Sequence, residues 1–401
     1  MSKFTTYKLE EIAEVQTGPF GSQLHMSDYK KEGTPIITVE HLDENRIIHK
    51  NLPLVGDEDK NRLKKYTLKE GDIVFSRVGS VDRCAYVSAK EDDWMFSGRL
   101  LRVRTNNKVD SRFLSFYFNQ ESFKEYIRRI AVGATMPSIN TTILSEVEIV
   151  LPPLKEQYEI AELLSSLDDK IDLLNHQNKI LDQLAETLFR QWFVEEAEES
   201  WETKKVKDVC LTITKGTTPT TLGKQFIETG INFIKAESLT DEGGFIPEKF
   251  AFIDLETDEM LKRSRIQKAD ILITIAGTIG RIACVTEEIL PANTNQAVGI
   301  MRVDSTLIHP YFLYCLFKTS AIRNDFDGRV VHAVQPNLSL GEIGSIEFKM
   351  PPKAKLESCM IELQQLFEKK DKNTNQIKTL TQLRDTILPK LMSGEATIKE
   401  N

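Results

Sequence analysis

One stretch of the chain repeats hydrophobic residues at every seventh position. After Pro153 the sequence runs to Phe193 without glycine or proline, so nothing in it interrupts a helix. The series at intervals of seven is Ile160, Leu167, Leu174, Leu181 and Leu188. The series interleaved at alternating spacings of four and three is Leu164, Ile171, Asn178, Ala185 and Trp192. This pattern predicts a coiled-coil helix with the first series at d and the second at a.

A second stretch, from Lys353 to Met392, follows the same frame less regularly. Its d series is Cys359, Leu366, Asn373, Leu380 and Ile387, and its a series is Leu363, Lys370, Ile377, Arg384 and Leu391. If the two helices pair antiparallel with matched centres, Asn178 faces the neighbourhood of Lys369, Lys370 and Asn373. We predict a polar layer there that fixes the register of the pair. The alternative is two unpaired helices with solvated polar faces.

Shorter apolar runs, bounded by turn residues, precede each of these stretches. The runs are Pro35–Val39, Asp72–Ser76, Leu100–Arg104 and Val147–Leu151 in the first half, and Asn232–Lys235, Asp270–Thr274, Val298–Val303 and Ser345–Met350 in the second. Their length and turn signals predict strands. Helical patterns at Ser111–Arg129 and His309–Asp325 occupy matching places. We therefore predict an α+β fold of two tandem α/β domains, separated by two long antiparallel coiled-coil helices, with pseudo-two-fold symmetry.

The two halves also share sequence. Residues Gly71–Arg83 correspond to Ala269–Arg281 at an offset of 198 positions. At an offset of 199, Met136–Asn140 corresponds to Gln335–Ser339, and Pro152-Pro153 corresponds to Pro351-Pro352. Landmarks in one order, at offsets that differ by a single residue, indicate a tandem duplication, which favours a bipartite ligand over a single catalytic pocket. The predicted segments are a first domain at 1–150, a helix and linker at 151–200, a second domain at 201–350 and a second helix at 351–401.

Composition and charge narrow the class of protein. The net charge of −8 weighs against a uniformly basic nucleic-acid binder, but binding depends on local potential. Acidic residues concentrate at 194–202, which carries five glutamates and is predicted to be a solvated linker. The five cysteines lack C-x-x-C spacing, and no apolar segment is long enough for a leader or a membrane span. These features predict a cytoplasmic protein with reduced thiols and no membrane contact.

Motifs for catalysis and for metal or nucleotide binding are missing from the sequence. The six histidines have no metal-ligand spacing, and no phosphate-binding glycine motif stands between a strand and a helix. A methyltransferase that flips adenine would be expected to carry an Asn/Asp-Pro-Pro-aromatic motif, whereas the two Pro-Pro sites here follow Leu151 and Met350. We expect a chain without catalytic residues and without a metal.

Basic and hydroxyl residues recur at equivalent places and predict contacts to DNA phosphates. The residues concerned are Lys64, Lys65, Arg83, Lys262, Arg263, Arg265, Arg281, Lys215, Thr217 and Thr218. Equivalent basic clusters in two copies favour phosphate binding, although a single cluster is equally well explained as a solvated face. The loops that open at Gly18 and Gly216 offer backbone N–H groups for phosphate oxygens, and simple turns explain them equally well.

Positions that differ between the copies are candidates for sequence-specific contacts. Arg77 corresponds to Ile275 and Arg99 to Ala297, so these arginines belong to the first copy alone. Arginine is the commonest bidentate partner of guanine in the major groove, and amide side chains pair with adenine. The candidates for base contact are Arg77, Arg99, Asn293, Asn295 and Gln296. The alternative for each is a surface ion pair or hydrogen bond.

The motifs together resemble the specificity subunit of type I restriction–modification enzymes. The resemblance rests on the Gly-Asp-Ile-Val-Phe-Ser run at 71–76, the Pro-Ser-Ile-Asn and Pro-Asn-Leu-Ser turns, and Leu151–Gln157 leading into the Ile-Ala-Glu-Leu-Leu run at 160–164. The closing run from Ile387 to Gly394 is similar to the end of that family's spacer helix. The resemblance covers essentially the whole chain.

This resemblance implies two target-recognition domains, each contacting one half of a split asymmetric site on double-stranded DNA. It also implies two methylation subunits that bind S-adenosylmethionine, and restriction subunits that use ATP and Mg. The second copy departs from the family's pattern in two places. Lys353–Leu356 stands where the first copy has Leu154–Gln157, and Ala269 replaces the turn glycine Gly71. The alternative interpretations of the sequence are a self-sufficient DNA-modifying enzyme and a coiled-coil scaffold without DNA binding.

Overall fold

The computed structural model describes residues 4–19, 21, 23–133, 135–331 and 337–398. Its internal contacts divide the chain into two compact units. Unit 1 comprises Met1–Leu174 with Gln376–Asn401, and unit 2 comprises Asn175–Asn375. This division differs from four consecutive segments, because each long helix contributes one part to each unit. Gln335 and Pro336 of the second repeated turn lie outside the described residues.

Unit 1 contains the first of the duplicated domains. Its strands are β1 (Thr5–Lys8), β2 (Ala13–Thr17), β3 (Tyr29–Lys30), β4 (Thr34–Ile37), β5 (Leu42–Asp43), β6 (Arg46–Ile47), β7 (Leu54–Val55), β8 (Ile73–Ser76), β9 (Cys84–Tyr86), β10 (Met95–Phe96), β11 (Leu100–Thr105) and β12 (Glu148–Leu151). Its helices are α1 (Leu9–Ile12), α2 (Asp57–Arg62), α3 (Ser111–Asn119), α4 (Glu121–Ile130), α5 (Thr141–Ser145) and the first part of α6 (Leu154–Arg190).

Unit 2 contains the second domain. Its strands are β13 (Glu202–Lys205), β14 (Cys210–Lys215), β15 (Ile231–Ile234), β16 (Ala251–Ile253), β17 (Ile271–Thr274), β18 (Ile282–Cys284), β19 (Ala292–Thr294), β20 (Val298–Val303) and β21 (Glu347–Met350). Its helices are α7 (Leu255–Met260), α8 (Pro310–Lys318), α9 (Ser320–Val331), α10 (Leu340–Ser345) and the first part of α11 (Lys353–Met392).

The central sheet of each domain has four strands in the same order, β2-β11-β8-β9 in unit 1 and β14-β20-β17-β18 in unit 2. The register is also the same. Ile73 pairs with Val103 in unit 1, and Ile271 pairs with Met301 in unit 2. The β8 and β17 strands are buried along their whole length, as expected for near-continuous apolar runs. The duplication in sequence is therefore a duplication of sheet topology.

The helix predicted after the central sheet is two helices in each domain. Gln120 separates α3 from α4, and Thr319 separates α8 from α9; both residues have extended backbone, with ψ of 140° and 144°. The single-helix predictions over Ser111–Arg129 and His309–Asp325 are corrected accordingly. The apolar periodicity continues across each break, so the sequence pattern did not indicate where one helix ends and the next begins.

The long helices α6 and α11 complete the core of each unit. In unit 1, Ile160 and Leu164 of α6 pack in the same apolar cluster as Leu391 of α11. In unit 2, Phe189 of α6 and Leu363 of α11 share the other large cluster. The predicted fold class, with tandem α/β domains and long antiparallel helices, is confirmed.

The acidic segment at 194–202 is more ordered than a solvated linker. Trp201 is buried, and Glu196 forms an ion pair with Lys355 at 3.0 Å. Hydrogen bonds from the Lys355 ammonium and from Gln191 hold the pKa of the Glu196 carboxyl below its ordinary value. The glutamates are exposed, while the backbone of the segment packs on unit 2.

Candidate nucleic-acid interface

Three loops of unit 1 meet at the end of the central sheet where β8 ends and β11 begins. The backbone N–H of Arg77, directly after β8, donates to the carbonyl of Arg99, directly before β11, at 2.8 Å. The Arg77 guanidinium donates to the hydroxyl of Thr17, at the end of β2, and to the carbonyl of Gly98, both at 3.3 Å. The Arg99 side chain is exposed. Antiparallel pairing thus places both arginines at one edge.

A loop that follows α4 packs against this edge. The N–H of Gly79 donates to the carbonyl of Pro137 at 2.8 Å, and the N–H of Ile139 donates to the carbonyl of Arg77 at 3.0 Å. We use the name loop surface 1 for the edge formed by Thr17, Gly18, Arg77, Gly98, Arg99 and Pro137.

The basic pair Lys64 and Lys65 lies beside the loop that starts at Gly18. Both lysines are exposed on a short 3₁₀ helix, Lys64–Tyr66. The Tyr66 hydroxyl donates to the side-chain oxygen of Gln23 at 3.0 Å, and Gln23 belongs to that loop. Within the described ranges, neither lysine has a carboxylate partner, so both ammonium groups remain available to a phosphate.

Unit 2 builds the same edge from the equivalent segments. The N–H of Ile275 donates to the carbonyl of Ala297 at 2.8 Å, and the N–H of Gly216 donates to the carbonyl of Asn295 at 3.1 Å. Arg263 reaches the carbonyl of Lys215 at 3.4 Å, so the basic pair Lys262-Arg263 adjoins this edge. We use the name loop surface 2 for the edge formed by Lys215, Gly216, Thr217, Thr218, Ile275, Asn295, Gln296 and Ala297.

Gly18 and Gly216 occupy positions where no side chain fits. A Cβ atom at Gly18 would overlap the carbonyl of Ser97, and one at Gly216 would overlap the carbonyl of Thr294. Close backbone approach therefore accounts for both glycines. The phosphate-binding role predicted for these loops depends on the neighbouring side chains rather than on the glycines.

The two loop surfaces share a backbone and differ in side chains. Loop surface 1 has Arg77 and Arg99 at the positions where unit 2 has Ile275, which is buried, and Ala297, which is partly exposed. Loop surface 2 instead carries an exposed Gln296, whose side-chain oxygen accepts a hydrogen bond from the Thr218 hydroxyl. The first surface therefore offers guanidinium groups, and the second offers amide and hydroxyl groups.

The structure corrects the phosphate assignment of Arg281. Its Nε and Nη2 atoms bind the two carboxylate oxygens of Asp241 at 2.7 and 3.2 Å, and its Nη1 donates to the carbonyl of Leu239 at 2.9 Å. Three of its five N–H donors are bonded inside the domain, which disfavours the predicted phosphate contact. Its counterpart Arg83 is exposed in a groove that Asp43 and Glu44 also line; this acidic setting disfavours a phosphate.

Arg265 is also occupied within its own domain. It forms ion pairs with Asp258, at 2.6 Å, and with Glu259. Hydrogen bonds that the Arg265 guanidinium donates to Glu259 and Asp258 raise its pKa above its ordinary value. Two carboxylates pair with this side chain, so it is less available to a phosphate than the sequence suggested, and the contact stays a prediction.

The prediction that Asn293 contacts a base is wrong because its side chain is inside the domain. Its amide nitrogen donates to Asp258 at 3.0 Å and to the carbonyl of Leu261 at 3.2 Å, and its oxygen accepts from Ser264 at 2.7 Å. Asn295 is partly exposed, and its oxygen accepts from the N–H of Ala297 at 3.1 Å. Of the three amides, only Gln296 is fully exposed.

Two buried ion pairs that the sequence analysis did not identify hold the strands of the two edges. Asp72 accepts from Nε and Nη2 of Arg104, both at 2.7 Å, and Asp270 accepts from the same atoms of Arg302 at 2.9 and 2.8 Å. Each pair joins the start of the β8 or β17 strand to the neighbouring β11 or β20 strand. Hydrogen bonds to the aspartates raise the pKa of both guanidinium groups. The sequence feature that could have indicated these ion pairs is the aspartate repeated in Gly71-Asp72 and Ala269-Asp270.

The residues predicted to fix the helix register are in contact within unit 2. The amide nitrogen of Asn373 donates to the side-chain oxygen of Asn178 at 3.0 Å, and Lys370 binds Asp182 at 2.7 Å. Asp182 follows Asn178 in α6, whereas its partner Lys370 precedes Asn373 in α11. Within unit 2 the two helices are therefore antiparallel. That this polar layer sets the register stays a prediction.

Neither a metal site nor a membrane helix is found in the part of the chain that the structure describes. Across these ranges, no three His, Cys, Asp or Glu side chains are grouped to hold a metal ion. No described helix combines the length and apolarity needed to cross a bilayer.

Two duplicated α/β domains, each with a polar loop edge flanked by cations, define a DNA-binding protein of two recognition modules. The family model for the type I restriction modification DNA specificity domain matches residues 1–183 and 198–382. The chain belongs to this family. Its role is therefore to supply DNA sequence specificity in a type I restriction–modification system, and specificity subunits are not themselves catalytic.

Known specificity subunits are similar to this chain over almost its whole length. The MjaIX specificity subunit of Methanocaldococcus jannaschii is 28% identical, with 98% of this chain and 93% of that one covered. The HindI specificity subunit of Haemophilus influenzae is 22% identical, with 88% and 92% covered. A crystal structure of the S subunit from M. genitalium has a TM-score of 0.61 at 18% identity and covers 100% of this chain and 97% of that one. This last likeness shows the fold alone.

Proposed function

We propose that each unit contacts one half of a split, asymmetric site on double-stranded DNA through its loop surface. The observation that carries the proposal is that the two surfaces share two backbone hydrogen bonds and differ in their exposed side chains. The shared bonds are Arg77 N–H to Arg99 carbonyl with Ile275 N–H to Ala297 carbonyl, and Ile139 N–H to Arg77 carbonyl with Leu338 N–H to Ile275 carbonyl. Equal backbones favour the same placement on DNA, and different side chains give different base preferences.

Phosphate contacts come from the cations beside each loop surface. Lys64 and Lys65 serve loop surface 1, and Lys262, Arg263 and Lys215 serve loop surface 2. Thr217 adds a hydroxyl donor to the second surface, whereas the Thr218 hydroxyl donates to Gln296 in the free chain. Local clusters of this kind bind DNA despite a net charge of −8, because the potential at the contact decides the affinity.

Base contacts divide between the two surfaces by chemistry. Arg99, and Arg77 beside it, have the donor fork that matches O6 and N7 of guanine. Gln296 has an amide, the group that pairs with adenine, and Asn295 supports the turn that presents it. The half-site bound by unit 1 is therefore expected to contain guanine, and the half-site bound by unit 2 is expected to contain adenine.

The remaining parts of the reaction belong to partner chains. We expect two methylation subunits, which bring S-adenosylmethionine and modify adenine, and restriction subunits, which bring ATP and Mg. The assembled complex would act as an adenine DNA methyltransferase and an ATP-dependent endonuclease. A self-sufficient DNA-modifying enzyme remains the main rival, and methyl transfer by the purified chain alone would establish it.

The phosphate assignment is tested by the salt dependence of DNA binding. Replacing Lys64 and Lys65 together with alanine should weaken binding to all sequences and reduce the slope of log K against log salt by about 1.8. The matched control replaces Lys8 and Lys108, two exposed lysines near the opposite ends of the β2 and β11 strands. An unchanged slope in the Lys64 and Lys65 variant, or an equal loss in the control, would reject the assignment.

The bipartite assignment is tested by sequencing the methylated sites of a host that carries this chain with a methylation subunit. The Arg99→Ala variant should relax the first half-site alone, and the Gln296→Ala variant should relax the second half-site alone. Relaxation of the same half by both variants would contradict the division between units. A complete methylation pattern without this chain would favour a scaffold without a DNA role.

A further inference from the structure

The loop that packs on loop surface 1 exposes two large apolar side chains. Val132 is 62% exposed and Met136 is 64% exposed. Single exposed hydrophobic residues are ordinary on protein surfaces. Two of them lie in one short loop beside loop surface 1, and the phosphate and guanine contacts proposed above do not involve them.

Hydrogen bonds hold this loop in place. Val132 and Ser138 exchange backbone N–H to carbonyl bonds, both at 2.9 Å, and the Ser138 hydroxyl adds a bond to the Val132 carbonyl at 3.1 Å. The loop is then fixed to the strand end through Gly79 and Pro137. The two apolar side chains are therefore presented from an anchored loop, which lowers the entropic cost of using them in binding.

Several arginines lie near the loop. Arg77 and Arg99 lie on the edge against which it packs, and the last turn of α4, just before the loop, carries Arg128 and Arg129. Arg128 is paired with Glu121 and, at 3.4 Å, with Asp82. Arg129 lies over the ring of Tyr126, 5.8 Å from its centre. Duplex DNA suits this combination of groups. Its phosphates can pair with the guanidinium groups, and its groove offers apolar groups on the base edges to Val132 and Met136.

In the major groove, the apolar group that distinguishes one base from the others is the 5-methyl group of thymine. Resting on the DNA-binding role proposed above, we propose that Val132 and Met136 contact thymine methyl groups next to the base that Arg99 contacts. The first half-site then contains a thymine on one strand beside its guanine. In the second copy the position of Met136 is occupied by Gln335 in sequence, so we assign this contact to the first half-site.

The test uses duplexes in which each thymine of the first half-site is replaced, one at a time, by deoxyuridine. The full-length chain should lose about fourfold in affinity at one position, the value of one buried methyl group. The Met136→Ala variant should bind the thymine and deoxyuridine duplexes equally. The control Val150→Ala removes a partly exposed apolar side chain from β12 and should keep the fourfold difference.

Several outcomes would overturn the inference. They are a first half-site without an A·T pair, no sensitive thymine, or an equal loss on both duplexes for Met136→Ala. Increased 2-aminopurine fluorescence beside the thymine would indicate insertion between bases, which also contradicts a methyl contact. Failure of the unmodified chain to prefer any DNA sequence would instead reject the proposed function, so the two failures are distinguishable.

Discussion

Breaking the buried pair Asp72–Arg104 should cost more when the arginine is removed than when the aspartate is removed. The Asp72 carboxylate is 1% exposed, whereas the Arg104 side chain is 30% exposed. Without Asp72, the guanidinium still reaches water. Without Arg104, a carboxylate is left buried with the N–H of Lys69, at 2.8 Å, as its remaining hydrogen-bond donor among the described residues.

The magnitudes follow from this asymmetry. Arg104→Met leaves an uncompensated buried charge, for which the cost is about 3–5 kcal/mol. Asp72→Ala loses hydrogen bonds to a group that water then solvates, for which the cost is about 1–3 kcal/mol. The double variant should cost less than the sum, because the second substitution removes the charge that the first one stranded.

Native-state hydrogen exchange on the full-length chain is the suitable assay. A chain of two units has no single free energy of unfolding, whereas exchange reports the opening free energy of the β8 and β11 amides separately. The matched experiment in unit 2 uses Asp270→Ala and Arg302→Met, where the side chains are 1% and 26% exposed. An equal or larger cost for Asp72→Ala than for Arg104→Met would refute the reasoning.

Three further predictions concern unit 2. Lys318→Met should stabilise the unit by an amount on the order of 1 kcal/mol, because Lys318 is buried and its ammonium contacts only the carbonyl of Glu242 and the hydroxyl of Tyr314, at 3.3 and 3.4 Å, among the described residues. Burial lowers the pKa of Lys318, so the unfolded chain binds more protons between that pKa and about 10.4, and stability should rise with pH across this window. Native-state hydrogen exchange of the α8 amides at several pH values checks both statements, because it reports the opening of unit 2 separately, and a rise that persists in Lys318→Met would contradict the second. Asn293→Ala should destabilise the unit by about 1–3 kcal/mol and leave its base preference unchanged, as site selection on random DNA would show. Asn373→Leu should weaken the register of the helix pair, visible as multiple distances between spin labels on α6 and α11, and a single distance would count against the polar layer.

Periodicity carried the largest part of the sequence prediction. The heptad series gave both long helices and the contact between Asn178 and Asn373, because a repeat of seven determines which side chains face a partner helix. The duplicated landmarks gave the repeated sheet for a similar reason: equal sequences at equal spacing form equal strands. These features depend on local order along the chain, which one sequence records.

Burial of polar groups was the part that could not be predicted. Asn293 and Gln296 are amides only three positions apart, and either suits a contact to adenine. One closes a hydrogen-bond network with Asp258 and Ser264, while the other is exposed, and this depends on how β19 packs against the segment after α7. Likewise, the partner of Asp72 depends on the register between two strands, which a single sequence does not specify.

Comparison of the two copies separates structural from specific residues once burial is known. Asp72 and Asp270 are identical in the two copies and buried, and each is paired with an arginine of the next strand. Arg281 binds Asp241, whereas its counterpart Arg83 is exposed, so identity between the copies does not by itself mark an internal contact. The loop surfaces include positions that differ, such as Arg99 in the first copy and Ala297 in the second. A duplicated scaffold that conserves its internal ion pairs can therefore change the side chains at its edges, and with them the DNA sequence it selects, without changing its fold.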